Sequence, residues 1–145
     1  MLLLTILFVM AGGSLGALAR FYCQKLAAKY TSMPGWVPIC IINIIGSMMI
    51  GVAVAWLTGE MKALNFEHIS PMRKEMDKMA ISDLTALLVV GFCGAFTTFS
   101  TFSLDNFFLS INKKGQMIFN MVGTTLLAYG GVTLGWFLGT LAVGS

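Results

Sequence analysis

Four long apolar stretches dominate the chain, at about residues 2–28, 37–58, 84–111 and 116–143. The first is free of charge from residue 2 to residue 19 and then continues with helical spacing, while the second and fourth hold no charge at all. At about 1.5 Å of rise per residue, each run is long enough for a hydrocarbon layer of about 30 Å. A cleaved leader would begin with basic residues ahead of a short apolar core. Nothing basic precedes Leu2, so the first run reads as a retained transmembrane helix. The pattern predicts an all-α membrane protein, a single transmembrane domain over residues 1–145 with four membrane-crossing helices. Short turns are expected at 30–36 and 112–115, and a long polar loop at 59–83. Within that loop the sequence PMRKEMDKM, residues 71–79, predicts the start of a short surface helix with Pro71 at its first position. His68 reads as a solvated loop residue.

Composition sharpens the picture. Of 145 residues 57% are hydrophobic and 10% are charged, whereas a soluble domain carries about 25% charged residues. Mean hydropathy is +0.86. Most of the charge is crowded into the 59–83 segment: Glu60, Lys62, Glu67, Arg73, Lys74, Glu75, Asp77, Lys78 and Asp83. Such a chain cannot present a wetted surface, which excludes a soluble enzyme, a nucleic-acid binder and a disordered polymer. Cys23, Cys40 and Cys93 have neither disulfide nor metal-ligand spacing and read as small buried apolar groups.

Orientation in a membrane follows the Lys/Arg difference between the two sides. Arg20, Lys25, Lys29, Lys113 and Lys114 fall on one side of a four-helix chain, and Lys62, Arg73, Lys74 and Lys78 on the other. Five against four sets almost no preference. The balance points to dual topology, in which copies insert both ways and an inverted pair assembles. Small-residue spacings fit close helix packing in lipid and were read as favouring an assembly: Gly12 and Gly16, Gly91 and Ala95, and Gly131, Gly135 and Gly139.

The chemistry has to come from what is polar inside the spans. The third contains GFCGAFTTFSTFSLDN over residues 91–106, with hydroxyls at Thr97, Thr98, Ser100, Thr101 and Ser103. Phe99 and Phe102 are interleaved at i and i+3, which places them on one helix face. Asn43 lies in mid-span in ICIINIIGS, where an amide is costly unless it is paired or faces a wet path. An interhelical hydrogen bond and a pore-lining donor are equally good explanations of it. The fourth span adds Asn120 and Thr124 at helical spacing, and Thr125, Tyr129 and Thr133 as another stripe. Hydroxyl and amide donors with electropositive phenyl edges suit a small, strongly hydrated anion. Hydroxyls also coordinate cations, so the lining alone leaves the sign open.

Three blocks, GGSLGALARF (residues 12–21), NIIGSMMIG (43–51) and GFCGAFTTFSTFS (91–103), strongly resemble the Fluc/CrcB fluoride-channel family. The resemblance covers essentially the whole chain apart from the charged 59–83 segment. It implies an antiparallel, dual-topology homodimer in a bacterial plasma (inner) membrane, with two narrow pores that let cytoplasmic fluoride leak out passively. It also implies a third helix broken near its middle. On this resemblance Asn43 donates to fluoride, and Phe99 and Phe102 turn ring edges to the ion. Ser100, Thr101, Ser103 and Thr124 belong to the polar lining, and Arg20 supplies positive potential at a vestibule. The backbone carbonyls of Gly94 and Thr97, at the break, are implied to hold a structural Na+ at the dimer interface. Three positions depart from the family pattern: Pro38 and Ile39 stand where it often has Gly-Thr, and Asp105 where it usually has Glu.

Other classes fit less well. A small dual-topology multidrug exporter needs a carboxylate embedded in its first span, and residues 2–19 contain none. A non-transporting membrane subunit leaves the hydroxyl–phenylalanine run without a use. No nucleophile–base pair or metal cluster in the spans suggests an enzyme.

Overall fold

The computed structural model describes residues 2–66 and 70–143. Its helices are α1 (Leu2–Tyr30), α2 (Trp36–Phe66), α3 (Pro71–Thr85), α4 (Gly94–Phe96), α5 (Phe99–Asn112) and α6 (Lys114–Val143), with a π-helical stretch at Ala86–Cys93 between α3 and α4. Four helical spans are long and apolar enough to cross a membrane, the third running from Pro71 to Asn112. No strand occurs among the described residues. The chain is a multi-pass membrane protein.

The ends of the helices depart from the expected loop. Pro71 does open a helix, and Pro34 and Pro38 sit where α2 starts, since proline at an N-terminus costs no hydrogen bond. The 59–83 segment, however, is mostly helical. α2 runs through Glu60 and Lys62 to Phe66, and α3 carries Arg73, Lys74, Glu75, Asp77 and Lys78. Charge of alternating sign suits an exposed helix, and the Lys78–Glu75 pair at 2.9 Å supports one turn of it. The expected loop therefore gives way to helix on both sides of residues 67–69, beyond the surface helix expected from Pro71, because exposed charged helices and polar loops share a composition. His68 lies outside the described residues. At 31 residues α2 is about 46 Å long, so it and α3 extend past a hydrocarbon layer of about 30 Å as a hairpin.

Packing is built from two tight pairs. α1 lies along the π-helical stretch and α4, and α2 lies along α6, while α5 leans on α6 and α2. The glycine spacings explain the closeness. A Cβ on Gly12 or Gly16 would collide with the Leu87 or Phe92 carbonyl of the third span, and one on Gly135 with the Met48 carbonyl of α2. Gly91 faces back, with the Val9 carbonyl 2.8 Å from where its Cβ would be. These contacts lie inside one chain, so the glycine stripes join its own helices and carry no information about a second copy. Little is buried in return: Ile39, Ile42, Ala55, Leu57, Ala86, Cys93 and Phe96 make up the apolar core. Most large apolar side chains face outward, as expected where lipid is the solvent.

Candidate functional site: a polar cavity at the broken third span

The third span breaks at Thr97–Thr98. Thr97 leaves the helix with φ −72° and ψ 155°, and Thr98 is extended at φ −147° and ψ 121°. Breaking a helix inside a membrane releases backbone groups that lipid cannot satisfy. The residues around the break satisfy several of them. Thr98 is the N-cap of α5: its Oγ1 accepts the Thr101 N–H at 3.2 Å and lies 3.2 Å from both Ser100 Oγ and Thr101 Oγ1. Thr97 ties back to the end of the π-helical stretch, its N–H and Oγ1 both donating to the Cys93 carbonyl, at 3.0 and 2.8 Å.

Asn43 holds Thr98 itself. From α2 its Oδ1 accepts the Thr98 N–H at 2.8 Å, and its Nδ2 donates to the Thr98 carbonyl at 3.2 Å. The amide is thus a two-point clasp on the extended residue, and this interhelical bond is one of the two explanations its position allowed. The other survives with it. An amide nitrogen carries two protons, and the clasp uses one.

That second proton belongs to a residue lining a cavity of about 410 Å³, together with Ser47, Thr97, Thr98, Phe99, Phe102, Thr124 and Thr125. Phe99 and Phe102, with ring centroids 6.1 Å apart and a tilt of 42°, stand on one wall as their spacing predicted. Phe99 is 80% exposed in the single chain. Asn43, Phe99, Phe102, Thr97 and Thr124 are therefore gathered at one place.

The other expected residues fall elsewhere. Thr101 lines a second cavity of about 380 Å³ on the far side of the α5 N-terminus, with Gln24, Thr31, Pro38 and Asp105. Ser100 and Ser103 are exposed and line neither space. Arg20 is half-buried on α1 and is also absent from both linings. Gly94 is exposed just before the break. The Thr98 N–H goes to Asn43 and not to the Gly94 carbonyl four residues earlier, so the break releases that carbonyl from the helical ladder.

Two features escaped the sequence reading. Thr98 joins Asn43, the α5 cap and both hydroxyl neighbours; a Thr placed directly before a helix start is an N-cap signal that would have singled it out. Asn106 is 93% buried and hydrogen-bonded to Asn120 at 3.0 Å. Its place four residues after Phe102, one helical turn on and just before the apolar Phe107–Leu109, was the available clue.

A polar cavity lined by one amide, several hydroxyls and two phenyl rings, set at a helix break within the spans, defines a membrane protein with a channel-like site. The model of the family described as "CrcB-like protein, Camphor Resistance (CrcB)" matches residues 7–136, and the chain belongs to that family. It is 33% identical over 133 residues to the fluoride-specific ion channel FluC of Nitrobacter winogradskyi, covering 90% of each chain. To the fluoride-specific ion channel FluC of Francisella tularensis subsp. mediasiatica it is 36% identical over 126 residues, covering 86% of this chain and 83% of that one. To the fluoride-specific ion channel FluC 1 of Yersinia pestis it is 31% identical over 134 residues, covering 86% and 91%. These relatives are named as ion channels, not as enzymes.

Proposed function

We propose that the chain forms a fluoride-selective passive channel, built as a dual-topology homodimer with two pores and a central sodium ion. The observation that carries the reading is the Asn43–Thr98 clasp. It holds one amide proton and the Phe99 and Phe102 rings at a single cavity in the broken span. An N–H donor and electropositive ring edges replace part of the water that a small anion sheds, and no fixed full charge lines the cavity to trap the ion. The names of the relatives point to the same ion.

The second copy accounts for two further observations. Phe99 stands outside the chain's own packing, and an inverted partner covers it. The five-to-four distribution of basic residues permits insertion in either sense. The carbonyls of Gly94 and Thr97 fit the proposed sodium, because the break frees them and carbonyl oxygens suit a hard cation. Sodium held there adds positive charge beside the break.

Reconstituted in liposomes, the purified protein is expected to release fluoride, read with a fluoride electrode, and to pass almost no chloride. Equal chloride flux overturns the selectivity. Absence of any flux overturns the channel and favours the non-transporting subunit, while flux driven only by a proton gradient favours the exporter.

A further inference from the structure

Between α5 and α6, behind the wall of the larger cavity, runs a buried chain of hydrogen bonds whose direction is set from one end. Asn106 Nδ2 donates to the Phe102 carbonyl at 2.9 Å. A backbone carbonyl only accepts, so Asn106 turns its nitrogen to Phe102 and its oxygen the other way. That oxygen accepts from Asn120 Nδ2 at 3.0 Å, which orients the second amide in turn. Asn120 Oδ1 then faces Thr124 Oγ1 at 2.9 Å. An amide oxygen has no proton to give, so the proton in this last contact is the hydroxyl's own.

Thr124 also lines the cavity. Its one proton points away from that space, and only oxygen lone pairs face it. Burial keeps water from competing for the chain: Asn106, Asn120 and Thr124 are 7%, 2% and 4% exposed.

We infer that Asn106 and Asn120 are positioning residues that hold Thr124 as a hydrogen-bond acceptor, so that this wall of the cavity withholds a donor from the anion. The inference rests on the fluoride-channel reading and refines it. A hydroxyl free to rotate gives fluoride a charge-assisted hydrogen bond, which belongs to the stronger class. Conduction needs binding weak enough for release. With Thr124 locked, the donating side of the cavity is Asn43 and Ser47 of α2 and the ring edges.

The test compares the intact reconstituted chain with three variants, measuring fluoride efflux as a function of fluoride concentration. Asn106→Leu/Asn120→Leu replaces both amides with apolar groups of similar shape, which limits the cost of unpaired atoms. It frees the Thr124 hydroxyl, and the half-saturating fluoride concentration is expected to fall about tenfold, the size of one added hydrogen bond to an ion. Adding Thr124→Val to that variant is expected to restore the original value. If the amides only support the fold, flux drops with the half-saturating concentration unmoved and Thr124→Val restores nothing; that result overturns the inference. Thr124→Val alone disturbs folding least; it removes an acceptor from the cavity wall and no donor, so the half-saturating fluoride concentration is not expected to rise. A weaker affinity in this variant means that Thr124 already donates to the ion, which also overturns it. Wild-type protein that passes no fluoride is a separate outcome, and it removes the channel reading itself.

Discussion

Asn43 is a structural clasp and, in the proposed channel, a donor as well. Removing its side chain in Asn43→Ala leaves the Thr98 N–H unpaired in a water-poor site, a loss of about 1–3 kcal/mol, while the Thr98 carbonyl keeps the first-turn bond of α5. The variant is therefore expected to melt at lower temperature in detergent as well as to lose fluoride flux; flux lost with an unchanged melt would separate the two duties. Thr98 gives the finer probe. Thr98→Val keeps the shape but removes the oxygen that caps α5, and about 1 kcal/mol of stability is expected to go with it. Thr98→Ser, which retains the cap oxygen, is expected to melt close to the parent. Asn43, Phe99 and Phe102 were legible as site residues because polar or paired aromatic positions stand out in an apolar run. Thr98 was not, because its importance lies in backbone geometry: one threonine in a string of five hydroxyl residues looks like its neighbours until the helix ends at it.

The elements were legible in number and unequal in detail. Apolar runs set the four spans, since only a helix satisfies its backbone in lipid. Periodicity could not reveal the π-helical stretch at Ala86–Cys93, which holds mostly the residues of any apolar helix. Its surroundings are unusually close: Gly12 and Gly16 of α1 press on its backbone. Helices brought to backbone distance leave no room for a side chain. Gly135→Leu, set against the Met48 carbonyl, is expected to lose 1–3 kcal/mol or more and to give mostly aggregated protein on size exclusion. Gly130→Leu has nothing within 4 Å of its added Cβ and is expected to elute as the parent does. Equal behaviour of the two variants would show that the α2–α6 contact is looser than it is described here.

For the whole molecule, the decisive quantity is a near-tie of charge. Ser32→Lys with Gln116→Lys adds two basic residues to the side that already has five, and both positions are exposed. This chain is expected to insert in one sense only, read by the accessibility of terminal tags, and to lose most of its fluoride flux when expressed alone. Coexpression with a copy biased the other way, by Glu60→Lys and Glu75→Lys together with Lys113→Gln and Lys114→Gln, is expected to bring the flux back. Full activity from a single-sense population would contradict the inverted pair. The count of basic residues was readable from sequence because it needs only the span limits, whereas the reach of α2 and α3 beyond the bilayer was not, because exposed charged helices and polar loops share a composition. That reach has a practical side. A chain of 15.7 kDa sunk in a detergent micelle offers an electron microscope almost no outline for aligning particle images. The projecting ends of α2 and α3 give it a spur, and an inverted pair would show one at each pole of the particle.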